Sequence, residues 1–179
     1  MSARARMAID IERLALAFVR YMEVHPASTL VASRDTAFEG WFRVELAATL
    51  VTIGVPCNEI DFRCPLPASA EKADLMLSGP QKIAIELKCF VAGADAHKLD
   101  AFPKQISQLS EHVRDGHFAQ VIGFATMYGY SERRSKTIRA SFFPSTWNVV
   151  GPFPVVQGLP LEFLVGERGS VPSLDASSA

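Results

Sequence analysis

The chain has 179 residues, 49% of them apolar, which suits one domain with a real core. Its 18 basic and 19 acidic residues nearly cancel to a formal charge of -1, so overall charge lends no support to a strongly basic nucleic-acid binder, while a local basic patch stays open. The three cysteines, Cys57, Cys64 and Cys89, cannot all pair with one another and match no common zinc spacing, and no apolar run reaches membrane-spanning length, so reduced thiols, a cytoplasmic location and no membrane partner are expected.

Residues from about Ala5 to Met22 read as a packing helix, with Ile9, Leu14, Ala17, Phe18 and Met22 on one stripe. A second helix is expected from Ser33 or Asp35 to Ile53, stopped by Gly54. Its apolar stripe runs through Phe38, Phe42, Leu46, Leu50 and Ile53, and at about 100° per residue Glu39 falls on that stripe beside Arg43. Glu39 is therefore either one half of an i to i+4 ion pair with Arg43 or a carboxylate reaching toward the strands. Glu45 falls to one side and is the second choice for that role.

Three strands follow, at Cys57 to Cys64, Ala73 to Leu77 and Lys82 to Phe90, with Ser78-Gly79-Pro80 as the turn between the last two. In the third, Ile83, Ile85 and Leu87 share one face, with Glu86 and Lys88 on the other. Charges on so apolar a strand are costly unless paired or metal-bound. Asp74 and Glu86 are carboxylates on adjacent strands. With the backbone carbonyl of Leu87 they would offer a hard divalent cation oxygen ligands, and Lys88 would orient or help deprotonate a water nucleophile. The plainer reading is a charge ladder on a wet sheet face. Cys89 points away from this group, into the core.

Val91 to Leu99 reads as a loop and Phe102 to Gly116 as a helix, carrying Lys104, Gln105 and Gln108 near its apolar face of Ile106, Leu109 and Val113. Phe118 to Tyr128 is expected as a strand parallel to the third through the helical crossover. Glu132 to Arg134 reads as a loop and Lys136 to Phe143 as a fifth strand. Arg133, Arg134, Lys136 and Arg139 form the densest basic cluster and are candidate phosphate contacts, with a solvated loop as the alternative. The prolines from Pro144 to Pro160 make the next stretch irregular, with short edge strands at Val155 to Gln157 and Leu161 to Val165, and the end of the chain reads as a loose tail. This order gives an α/β (α+β mixed) class.

The A-D-L and I-E-L-K segments, with eleven residues between Asp74 and Glu86, resemble the active-site pattern of the PD-(D/E)XK nuclease superfamily. Ala73 stands where that pattern often has proline. The resemblance covers about Ser33 to Tyr128. It implies a restriction-endonuclease-like mixed central sheet flanked by helices, with residues 31–150 as the nuclease-like core, 1–30 as a packing or dimerisation helix and 151–179 as a proline-rich extension and tail. It further implies Lys88, Glu86, Asp74 and Glu39 as the catalytic group, with Asp74, Glu86, the Leu87 carbonyl and Glu39 around Mg²⁺, or Mn²⁺ in its place. Gln105 or Gln108, with Lys104 nearby, matches a glutamine that some members carry on the helix after the lysine strand. The implied activity is metal-dependent hydrolysis of phosphodiesters, in DNA foremost. A homodimer or a targeting protein is the implied partner. A catalytically inactive interaction module on the same sheet, binding nucleic acid or protein, is the alternative, and an RNA-directed enzyme is a third reading.

Overall fold

The structure, a computed structural model, describes residues 8–25, 38–67, 71–92, 96–154 and 161–169. Helix α1 (Ile11–Val24) begins where the Asp10 carboxylate accepts the backbone N–H groups of Glu12 and Arg13 at 3.0 and 3.1 Å, which satisfies two otherwise orphaned donors. Its buried stripe is Ile11, Leu14, Ala15, Phe18 and Met22. Helix α2 (Phe38–Thr52) answers with Phe42, Leu46 and Leu50, all buried. The starts proposed for both helices, before Ala8 and before Phe38, fall outside the described residues.

A short 3-10 turn (Cys57–Glu59) leads into strand β1 (Ile60–Pro65), followed by β2 (Lys72–Leu77) and β3 (Ile83–Val91). Helix α3 (Ala96–Arg114) then crosses to β4 (Gln120–Tyr128). Helix α4 (Glu132–Phe142), β5 (Asn148–Pro154) and β6 (Leu161–Gly169) complete the chain. The six strands form one mixed sheet in the order β1-β2-β3-β4-β6-β5, with β3 and β4 parallel and every other neighbouring pair antiparallel. The expected class, a mixed sheet flanked by helices, and the parallel crossover are both present.

The sheet is covered on two sides. Under α1 and α2 lie Leu75, Leu77, Ile83, Ile85, Leu87 and Cys89, with Phe18 edge-on to Phe42, Phe124 and Phe163 at centroid distances of 4.8, 6.1 and 5.4 Å. Under α3 and α4 lie Ala84, Phe90, Val121 and Ala125, facing Phe102, Ile106, Leu109 and Phe142. Such ring contacts add to the area removed from water.

Three expectations are corrected. Glu132 to Arg134 is not a loop and Lys136 to Phe142 not a strand; together they lie in α4, which ends at Phe142: Ser131 caps the helix through the Arg134 N–H, and the buried Ser135, Ile138 and Phe142 follow a helical period. The alternation of Ile138, Ala140 and Phe142 fitted a strand equally well, but Ala140 is exposed. The helix expected from Phe102 begins earlier, at Ala96, with Pro103 inside it. Leu161 to Val165 is no edge strand; it opens β6, which pairs along all of β4 and lies between β4 and β5. The strand proposed at Val155 to Gln157 and the terminal tail lie outside the described residues.

One row across the sheet is irregular. On β1, Phe62↔Leu75 and Cys64↔Ala73 are paired, but Arg63, which the same register sets opposite Asp74, is not. Arg63 has φ 53°, a left-handed backbone that costs a side-chain-bearing residue about 1–2 kcal/mol. The β2–β3 ladder stops at Leu75↔Ile85, one step before Asp74 would meet Glu86. The row continues through Glu86↔Gly123 and Gly123↔Gly166. There Phe143 fills the space of two absent side chains. A Cβ on Gly123 would lie 2.7 Å from the Phe143 ring and 2.8 Å from Ile106, and one on Gly166 2.7 Å from the same ring.

Candidate active site

Where β2 and β3 part, the missing ladder bonds are replaced by carboxylates. The backbone N–H of Leu87 donates to Asp74 Oδ2 at 2.9 Å, and the backbone N–H of Asp74 donates to the Glu86 carboxylate. The polar backbone of the split is thus satisfied by side chains, as buried N–H groups require. Both residues are buried, at 8% and 7% exposure. Burial pushes the Glu86 carboxyl up to about 8, with the Asp74 charge and, less, that of Glu39 acting in the same direction, while Lys88 opposes them.

Two cations meet this pair. The Arg43 guanidinium on α2 is ion-paired with Asp74 Oδ1. Lys88 Nζ lies 3.5 Å from Glu39 Oε1, also on α2. The site is therefore a four-charge cluster in two pairs, Arg43 with Asp74 and Lys88 with Glu39, surrounding the buried Glu86. Of the two roles open to Glu39, reaching the strands is the one observed; Arg43 is taken by Asp74.

Behind Glu86 is a cavity of about 320 Å³ lined by Arg63, Leu66, Glu71, Lys72, Gln105 and Leu109. Gln105 presents a buried Oε1 with no hydrogen-bond partner among the described residues, so this carbonyl has unspent accepting capacity beside the carboxylates. Gln108 and Lys104, on the same helix, are exposed and do not line the cavity. Glu45 is turned toward α1, where it accepts from the Tyr21 hydroxyl and pushes that phenol up to about 12. Arg133, Arg134 and Lys136 are exposed on α4, and Arg139 is ion-paired with Glu162 on β6 at 2.8 Å. None of these four lines the cavity.

Two residues escaped the reading of the sequence. Arg43 lies on the same helical stripe as Glu39, but the only partner the sequence suggests for it there is Glu39, one turn away on its own helix. Arg63 gave no signal, because a left-handed arginine in a strand has no signature in residue type.

Among the described residues no three His, Cys, Asp or Glu side chains are grouped closely enough to hold a metal ion between them. Mg²⁺ is commonly held by one or two carboxylates and keeps several waters. Two adjacent buried carboxylates, one of them pushed up to about 8 by burial and then by its neighbour's charge, suit such an ion. Among the described residues no helix is long and apolar enough to cross a membrane. Comparison with family models, with curated proteins and with solved structures yields no match.

Proposed function

We propose that this protein is a metal-dependent nuclease hydrolysing phosphodiester bonds, in DNA foremost, with the restriction-endonuclease-like arrangement of the PD-(D/E)XK superfamily. The observation that carries this reading is the meeting of Asp74, Glu86, Lys88 and Glu39 at the one place where two central strands part. A surface charge ladder would leave its carboxylates wet, and these are buried.

Asp74 and Glu86 would hold Mg²⁺ or Mn²⁺, with the Leu87 carbonyl as a further oxygen ligand. Such an ion supplies Lewis-acid polarisation of the phosphoryl oxygen and lowers the pKa of a bound water. Lys88 Nζ is the cation available to orient the attacking water and to offset charge gathering on the phosphate. Glu39 is a positioning residue: at 3.5 Å it holds Nζ in place rather than touching the substrate. Arg43 balances the Asp74 charge. Gln105 lines the same cavity from α3.

The test is cleavage of supercoiled plasmid, linear duplex and single strands by the purified chain with Mg²⁺ or Mn²⁺, alongside Asp74→Ala and Lys88→Ala. Both variants are expected to lose cleavage while remaining folded by circular dichroism. Undiminished cleavage in both sinks the assignment. A second reading, an inactive interaction module on this sheet, is favoured by the Arg43–Asp74 ion pair, which already neutralises one of the two carboxylates. It predicts no metal-dependent cleavage of any nucleic-acid form. Cleavage of RNA alone would move the substrate without moving the site.

A further inference from the structure

The left-handed backbone at Arg63 is unexplained by the fold. No extra residue is inserted in β1, since the register is the same on both sides of the break. Glycine or asparagine would adopt φ 53° at less cost. A strained position held by a long cationic residue points to use of its side chain. The break lies opposite Asp74, and Arg63 lines the cavity that ends on Glu86 and Gln105. Lys72, on the neighbouring strand, lines the same cavity. Both cations are exposed and have no ion-pair partner among the described residues, whereas Glu71 beside Lys72 already has a partner of its own. The cation that acts on Glu86 is Lys88, which leaves Arg63 and Lys72 at the rim.

We propose that Arg63 and Lys72 form a phosphate-binding subsite at the rim of the Asp74–Glu86 cavity, taking a backbone phosphate of the bound strand next to the one attacked. Arg63 is the anchor. Its planar fork of donors matches phosphate oxygens two at a time, and the left-handed residue holds the arm beside the gap between strands. Lys72 adds a point charge. The place of this phosphate next to a scissile bond rests on the nuclease reading; the phosphate chemistry of the rim does not.

The experiment is binding of a fluorescein-labelled DNA duplex and its single strand, by anisotropy, in EDTA so that no cleavage occurs, over a range of salt. Arg63→Asn and Arg63→Gly both tolerate the left-handed backbone and remove the guanidinium. Their thermal midpoints are expected at or above that of the natural protein, so loss of binding would not reflect unfolding. Each is expected to weaken binding about three- to tenfold and to lower the slope of log K against log salt by about 0.9. Arg114→Asn, which removes an exposed charge on α3 beside Asp115, is expected to leave the slope unchanged. In Mg²⁺, Arg63→Asn is expected to raise KM with kcat little changed. Unchanged affinity and slope in folded Arg63→Asn and Arg63→Gly overturn the subsite, as does failure of the natural protein to bind DNA. Binding that follows this pattern in a protein that cleaves nothing retains the subsite and rejects the nuclease.

Discussion

Replacing Glu86 by glutamine should make the metal-free protein more stable at alkaline pH. In the folded protein the Glu86 carboxyl is raised from 4.5 to about 8, first by burial and then by the Asp74 charge. Because the folded value lies above the unfolded one, the stability associated with the protonated form is fully present below about pH 4.5 and is lost as pH rises through about 8. At 1.36 kcal/mol for each tenfold change in proton affinity, the full effect is on the order of 4–5 kcal/mol, and local relaxation around Asp74 reduces what is observed to about 2–4 kcal/mol. Glutamine keeps an oxygen to accept the Asp74 N–H and carries no charge. Urea unfolding in EDTA, followed by tryptophan fluorescence between about pH 5.5 and 9, should therefore show the natural protein losing stability while Glu86→Gln stays nearly level. The gap between the two should be smallest at the acid end and widen up to about pH 8. Mg²⁺ should restore the natural protein at high pH by mass action and have little effect on the variant. Parallel pH profiles, with less than about 0.5 kcal/mol between the two proteins throughout, would refute the claim that Glu86 is a buried, under-compensated carboxylate.

Removing Arg43 leaves Asp74 buried without its counter-charge. Arg43→Met should cost about 3 kcal/mol in EDTA, and Mg²⁺ should recover more stability than it gives the natural protein; equal Mg²⁺ shifts in the two would show that Arg43 and the ion do not share Asp74. Gly123→Ala should cost about 1–3 kcal/mol through collision with Phe143 and Ile106, measured by thermal or urea unfolding, and a variant as stable as the natural protein would show that the space over Gly123 is not closed.

Much of the sheet's centre was legible from the alternation of residue types, although β3 is buried on both faces. Ile83, Ile85 and Leu87 alternate with Glu86 and Lys88, and no helical reading fits so short an apolar run as well. The helical projection of α2 put Glu39 on the stripe that packs against β3, and its carboxylate does reach Lys88. Residues 135–142 could be read with either period, and the Ser131 cap, which decides for a helix, is a signal only once the helix is suspected. The pairing of Arg43 with Asp74 spans 31 residues, and no local rule chooses a distant carboxylate over one a helical turn away. Arg63 was hidden for a different reason: its left-handed conformation interrupts a strand whose register is unchanged on either side, and no pattern of residue types marks such a break.

The other end of that row has its own consequence. Gln105 immediately precedes Ile106, and Ile106 is one of the two side chains pressed into the space above Gly123. How near α3 rides to the sheet thus depends on the missing methyl group at Gly123, while that at Gly166 gives Phe143 its place. A side chain at Gly123 would act as a shim under the helix, and one at Gly166 would press on Phe143, which sits edge-on to Phe102 of α3. The first would lift the wall that carries Gln105 away from Glu86 and change the room for a water without altering one charged group. Tolerance of larger residues at these two glycines is accordingly a measure of how much slack the chemistry at Glu86 permits.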